Sequence, residues 1–239
     1  MRNWSSLLAL IFCLSNLSFA QDVIRMDVPF DINGIFNTDL DYPSAGGMNA
    51  PQLSEIDLNN DGIMDLFVFD RVGNTIQTFI NKGGPGPDYS FAPEYIDKFP
   101  KLNNWVLLRD YNDDGAMDIF AYSDAIGFHG IIAYDGYIDG DGEINFERVQ
   151  FDNAPNLMTF PLPSNPDTDT QIYITNIDYP AVDDLDCDGD LDILSFNING
   201  GYVEFYKNMS IEMGYDLDSL IFELDDNQQL KQIFKVRLC

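Results

Sequence analysis

The chain has 239 residues, of which 45% are hydrophobic, 13% aromatic and 22% charged, enough apolar material for a folded core and too balanced for a disordered tail. Its 12 Lys and Arg stand against 40 Asp and Glu, and the formal charge of -28 opposes the phosphate-neutralising surface that nucleic acids and anionic membranes require. Three Cys and one His argue against a thiolate or imidazole zinc site and against a dense disulfide framework, so a metal here must be held by oxygen.

Arg2 precedes an apolar run from Leu7 to Leu14 that is too short to span a bilayer. Ser18 and Ala20 supply the small residues of a cleavage site, so residues 1–20 read as a signal peptide with Gln21 as the mature start. Cys13 leaves with it. No later segment is apolar enough to insert into a membrane, and the protein is expected to be secreted, extracellular or at the cell surface. Residues 21–45 form an N-terminal strand and loop segment.

A repeat follows. DLNNDGIMDL from Asp57, DYNDDGAMDI from Asp110 and DLDCDGDLDI from Asp184 share the pattern Dx[DN]xDGxxD[LI]. Each is followed by a short apolar run (Leu66 to Phe69, Ile119 to Tyr122, Ile193 to Phe196), a glycine (Gly73, Gly127, Gly200) and a second such run (Thr75 to Ile80, Gly130 to Tyr134, Tyr202 to Tyr206). Runs this short, rich in Val, Ile, Phe and Tyr and bounded by Gly, Asn and Asp, predict strands, and helix should be scarce. Fourth strands are expected at Tyr89 to Ile96, Ile144 to Phe151 and Leu220 to Leu224. Four strands per unit of about 50 residues describe a propeller blade. The blades are placed at 46–100, 101–152 and 171–225. Residues 153–170, with the Pro-, Ser- and Asp-rich stretch from Pro161 to Thr170, read as an inserted loop.

The acidic spacing suits a hard cation such as calcium, which takes about six to eight oxygens at roughly 2.3–2.6 Å. In the first loop Asp57, Asn59, Asp61 and Asp65 would offer side-chain oxygens and Ile63 its carbonyl, with Gly62 allowing the reversal. The second set is Asp110, Asn112, Asp114, the Ala116 carbonyl and Asp118. The third is Asp184, Asp186, Asp188, the Asp190 carbonyl and Asp192. An EF-hand would need a bidentate Glu at its twelfth position, where Val68, Ala121 and Ser195 stand here, and flanking helices.

With three such loops on strand-like flanks, the chain resembles the FG-GAP or VCBS repeat family of calcium-loop β-propeller blades, also found in integrin α-subunit heads. Gly46-Gly47-Met48-Asn49-Ala50-Pro51 is similar to that family's Gly-Ala-Pro element, without its Phe-Gly pair. The resemblance covers roughly residues 46–210. It implies an all-β fold with blades of four antiparallel strands, about three structural calcium ions (Ca2+), and a binding or adhesion role toward an extracellular protein or glycan rather than enzymatic activity. The alternatives are the scaffold of a larger extracellular enzyme, or a propeller lectin acting on polysaccharide. Propellers close with about four to eight blades, so three to four blades predict an incomplete propeller, completed by further blades of a longer parent chain. Lys231, Lys235 and Arg237 reverse the local charge, and residues 226–239 read as a tail that is not native blade sequence.

Other residues read as structural. His129 adjoins a turn without a nucleophile motif, Tyr137 to Glu143 reads as a hairpin turn, and Trp105 as blade packing. Asn208-Met209-Ser210 is a formal glycosylation sequon. Cys187 would point outward between Asp186 and Asp188, and no stable bridge from it to Cys239 is expected.

Overall fold

The structure is a computed structural model describing residues 45–153 and 156–225. The chain divides into two compact units, Met1–Pro43 and Ser44–Cys239, and the described residues belong to the second. The expected signal peptide, most of the 21–45 segment and the 226–239 tail lie outside them.

Three four-stranded antiparallel sheets follow one another along the chain, each in simple meander order. The first is β1 (Pro51–Ile56), β2 (Asp65–Asp70), β3 (Thr75–Asn81) and β4 (Tyr89–Phe91). The second is β5 (Val106–Arg109), β6 (Asp118–Tyr122), β7 (Ile131–Ile138) and β8 (Ile144–Arg148). A hairpin of β9 (Thr159–Leu162) and β10 (Asn165–Gln171) precedes the third sheet, β11 (Ala181–Asp183), β12 (Asp192–Phe196), β13 (Val203–Asn208) and β14 (Phe222–Asp225). These are blade-like units of the kind that propellers repeat.

The first strands of the sheets face one another. Val106 donates its N–H to Gln52 Oε1 at 3.0 Å, and Arg109 Nε donates to the Val182 carbonyl at 3.0 Å. Apolar side chains fill the two spaces between sheets. Ile56, Phe67 and Phe69 meet Val106, Leu108 and Ile119 in one core. Trp105, Phe120, Tyr122 and Ile131 meet Ile174, Val182, Ile193 and Tyr206 in the other. The second sheet is therefore covered on both faces, which is why all five residues of β6 are buried and read as an unbroken apolar run after Asp118.

Three expectations are corrected. The fourth strand of the first unit stops at Phe91, because Pro93 lacks an amide donor and opens a 3-10 turn over Pro93–Lys98. The expected inserted loop at residues 153–170 is largely the β9–β10 hairpin, whose Phe160 ring packs edge-on to Tyr206 at 5.0 Å. Threonines alternating with aspartates suit an edge strand, and the irregular register between Asn165 and Asp169 absorbs Pro166. The third correction concerns Cys187, which is disulfide-bonded, while the other two cysteines lie outside the described residues. It stands exposed at the loop tip with φ 69°. Helix is limited, among the described residues, to Ser210–Met213 and two 3-10 turns.

Candidate metal centres

Each acidic loop joins the first strand of its sheet to the second, and the three are built alike. The first aspartate receives the backbone N–H groups of the fifth and sixth positions on its two oxygens. Asp57 takes those of Asp61 (3.1 Å) and Gly62 (2.8 Å), Asp110 those of Asp114 (3.2 Å) and Gly115 (2.9 Å), and Asp184 those of Asp188 (3.2 Å) and Gly189 (3.2 Å). The fifth aspartate in turn accepts the N–H of the seventh position, at 2.8 Å for Asp61 and Asp114 and 3.3 Å for Asp188. The chain reverses at two left-handed residues. The fourth position (Asn60, Asp113, Cys187) has φ of 56°, 58° and 69°, and the glycine at the sixth has φ of 81°, 91° and 105°. Only glycine takes that second conformation without a steric penalty.

The ninth aspartate has a distinct role. Asp65, Asp118 and Asp192 are all buried. Each spans two backbone donors with its two oxygens. Asp65 holds Leu58 N (2.9 Å) and Asn81 N (2.7 Å), Asp118 holds Tyr111 N (2.8 Å) and Gly136 N (2.7 Å), and Asp192 holds Leu185 N (3.1 Å) and Asn208 N (2.9 Å). It ties its loop to the third strand of the sheet.

The donor set is all oxygen, as a hard cation demands. Ligand oxygens of Asp184, Asp186 and Asp188 lie within 4.8 Å of one another, and so do those of Asp188, Asp190 and Glu212. In the first two loops an asparagine replaces the aspartate at the third position, and Asn59 and Asn112 each accept the N–H of the fifth residue at 3.1 Å. Glu212 and the side chain of Asp190 are additions that the repeat did not reveal. Asp190, considered for its carbonyl, is buried, with Oδ2 on the Ile211 N–H at 3.1 Å and Oδ1 without a hydrogen-bond partner. Two more residues reach the loops from third strands, Asp135 to Asn112 Nδ2 at 3.1 Å and Lys207 to Asp186, Asp188 and Glu212.

Burial pushes Asp118 and Asp192 up to about 7, against the pull of their backbone donors. The unfolded side chain titrates near 3.8, so the folded protein binds more protons between the two values. The stability this contributes is complete below the unfolded value and is lost as pH rises through the folded one. Metal-free protein should therefore unfold at lower urea at about pH 8 than at about pH 5, with saturating cation reducing the difference. Urea titrations across that range check it.

The remaining sequence candidates make structural contacts. His129 Nδ1 meets the Tyr122 hydroxyl at 2.7 Å, and the ring packs on Tyr173. Asp139 caps the β7–β8 turn by accepting the N–H groups of Asp141 and Glu143. Trp105 is fully buried.

Antiparallel four-stranded units, each with an acidic, oxygen-lined loop between its first two strands, define a class of blade-repeat proteins with candidate cation sites. Residues 57–121, from the first loop into β6, match the FG-GAP-like repeat family. No curated protein matches the chain.

Proposed function

We propose that this chain is an exported, calcium-binding protein of propeller type, a binding or adhesion module whose ions are structural and which catalyses no reaction. The observation supporting this is the shared scaffold of the three loops, in which differing residues reproduce the same carboxylate-to-backbone hydrogen bonds around Asp57, Asp110 and Asp184. Carboxylates grouped this closely repel without a cation, and calcium would stabilise the folded state by mass action. At a free concentration roughly a thousand times its dissociation constant, one site contributes about 4 kcal/mol. Melting temperature should rise in calcium, fall in chelator, and respond weakly to magnesium, which demands stricter octahedral geometry. Identical melts in all three would remove the calcium reading.

The end of the sheets away from the loops supports a binding role. There, the turns between second and third strands expose Val72, Ile126, Phe128, Ile198 and Tyr202, and the segment before β11 exposes Ile177 and Tyr179. Ile126 is 99% exposed and Ile177 76%. Apolar side chains gathered on one end of a soluble protein mark an interaction surface, and an extracellular protein or glycan ligand would dock there. A ligand found by screening should lose binding to an Ile126→Asp, Ile198→Asp variant whose melting temperature is unchanged. Undiminished binding would place the interface elsewhere.

A further inference from the structure

The strand registers make one position comparable in all three units. Leu66 pairs with Phe79, Ile119 with Tyr134 and Ile193 with Tyr206, so the residues that follow, Ile80, Asp135 and Lys207, are equivalent. Each stands next to the residue whose N–H is held by the ninth aspartate of its loop. The position is apolar in the first unit, acidic in the second and basic in the third. In the second unit Asp135 adds a carboxylate beside the third-position Asn112. In the third, Lys207 Nζ lies 3.0 Å from Asp188 and also bonds Asp186 and Glu212. Its side chain is only 22% exposed. Glu212 comes from the helix Ser210–Met213 directly after β13, a feature the first two units lack, so the third builds both the cation and an extra carboxylate to receive it.

We infer that Lys207 is the resident cation of the third loop. Its ammonium pairs with Asp186 and Asp188, two of the carboxylates through which that loop would otherwise grip an ion, and a metal must displace it to enter. Among the described residues no such ammonium reaches the first two loops, and these remain the metal sites. This rests on the calcium reading of those loops and changes the stoichiometry it leads to. An ammonium held by three carboxylates supplies one of the two positive charges a divalent ion would bring, without depending on extracellular calcium.

Calorimetric titration of the full chain with calcium should give about two tight equivalents for the wild type and about three for Lys207→Met. Metal-free Lys207→Met should melt below wild type and recover in calcium. Acetylation of lysines followed by mass spectrometry needs no variant, and so holds even if Lys207→Met does not fold. Lys207 should remain protected in chelator and in saturating calcium alike. Three tight equivalents in the wild type, or a Lys207 that becomes reactive on adding calcium, would overturn the inference while leaving the calcium reading intact. Absence of calcium binding to wild type and variant would overturn both.

Discussion

Asp118→Ala should destabilise the protein by about 3–5 kcal/mol, because the lost carboxylate leaves two buried backbone N–H groups unpaired at roughly 1–3 kcal/mol each. The side chain is fully buried, and its oxygens hold Tyr111 N in the loop and Gly136 N in β7 at 2.8 and 2.7 Å. One residue thus fastens the loop to a strand it does not adjoin in sequence. Against a typical domain stability of about 5–15 kcal/mol, the loss is large. Asp192→Ala should behave similarly through Leu185 and Asn208. Asp113→Asn is the control. It stands exposed at the loop tip with φ 58°, a conformation asparagine accepts, and should stay within about 0.5 kcal/mol. Urea unfolding in chelator separates this backbone role from any metal ligation, since the cost should persist without the ion. If Asp118→Ala and Asp113→Asn unfold at the same urea concentration, the tie is not what holds the loop.

The loops and the strands around them were legible in the sequence because both kinds of information are local. An apolar run of four or five residues bounded by Gly and Asp has few alternatives to a strand, and β2, β6 and β12 each begin on the ninth aspartate. The β9–β10 hairpin was not legible, since its proline and aspartates are turn residues by composition and only pairing makes them a strand. Within the site, spacing identified the acidic positions but not their division of labour. Alternation along a loop does not tell a carboxylate facing an ion from one buried on backbone donors, as Asp65, Asp118 and Asp192 are. Asp135, Lys207 and Glu212 escaped because they lie beyond the motif and arrive through strand register. Aligning the third strands on Asn81, Gly136 and Asn208 would have exposed the change from Ile80 to Asp135 to Lys207.

Gly136→Ala should be the most damaging single-methyl addition among the described glycines. A Cβ there would lie 2.2 Å from the Met117 carbonyl oxygen and 3.0 Å from its carbon, with the Phe146 ring at 3.3 Å. The obstacle is backbone, so no side-chain rotation relieves it, and either β7 or the end of the second loop must move. Movement is costly here because the Gly136 N–H is one of the two donors Asp118 holds. The equivalent residue of the first unit shows the other solution. Asn81 keeps a side chain and uses it to donate to the carbonyl of Met64, the counterpart of Met117, at 3.0 Å. Overpacking of this kind costs typically about 1–3 kcal/mol, and the coupled loss of the Asp118 bond should carry it to the upper end. Gly84→Ala, where an added Cβ meets nothing within 4 Å, should change stability by less than about 0.5 kcal/mol. If close approach of the strand to the loop also shapes the cation site, Gly136→Ala should remove one calcium equivalent while the first loop still binds. A Gly136→Ala protein that unfolds with wild-type cooperativity at the wild-type urea midpoint would show that β7 and the second loop have room to part.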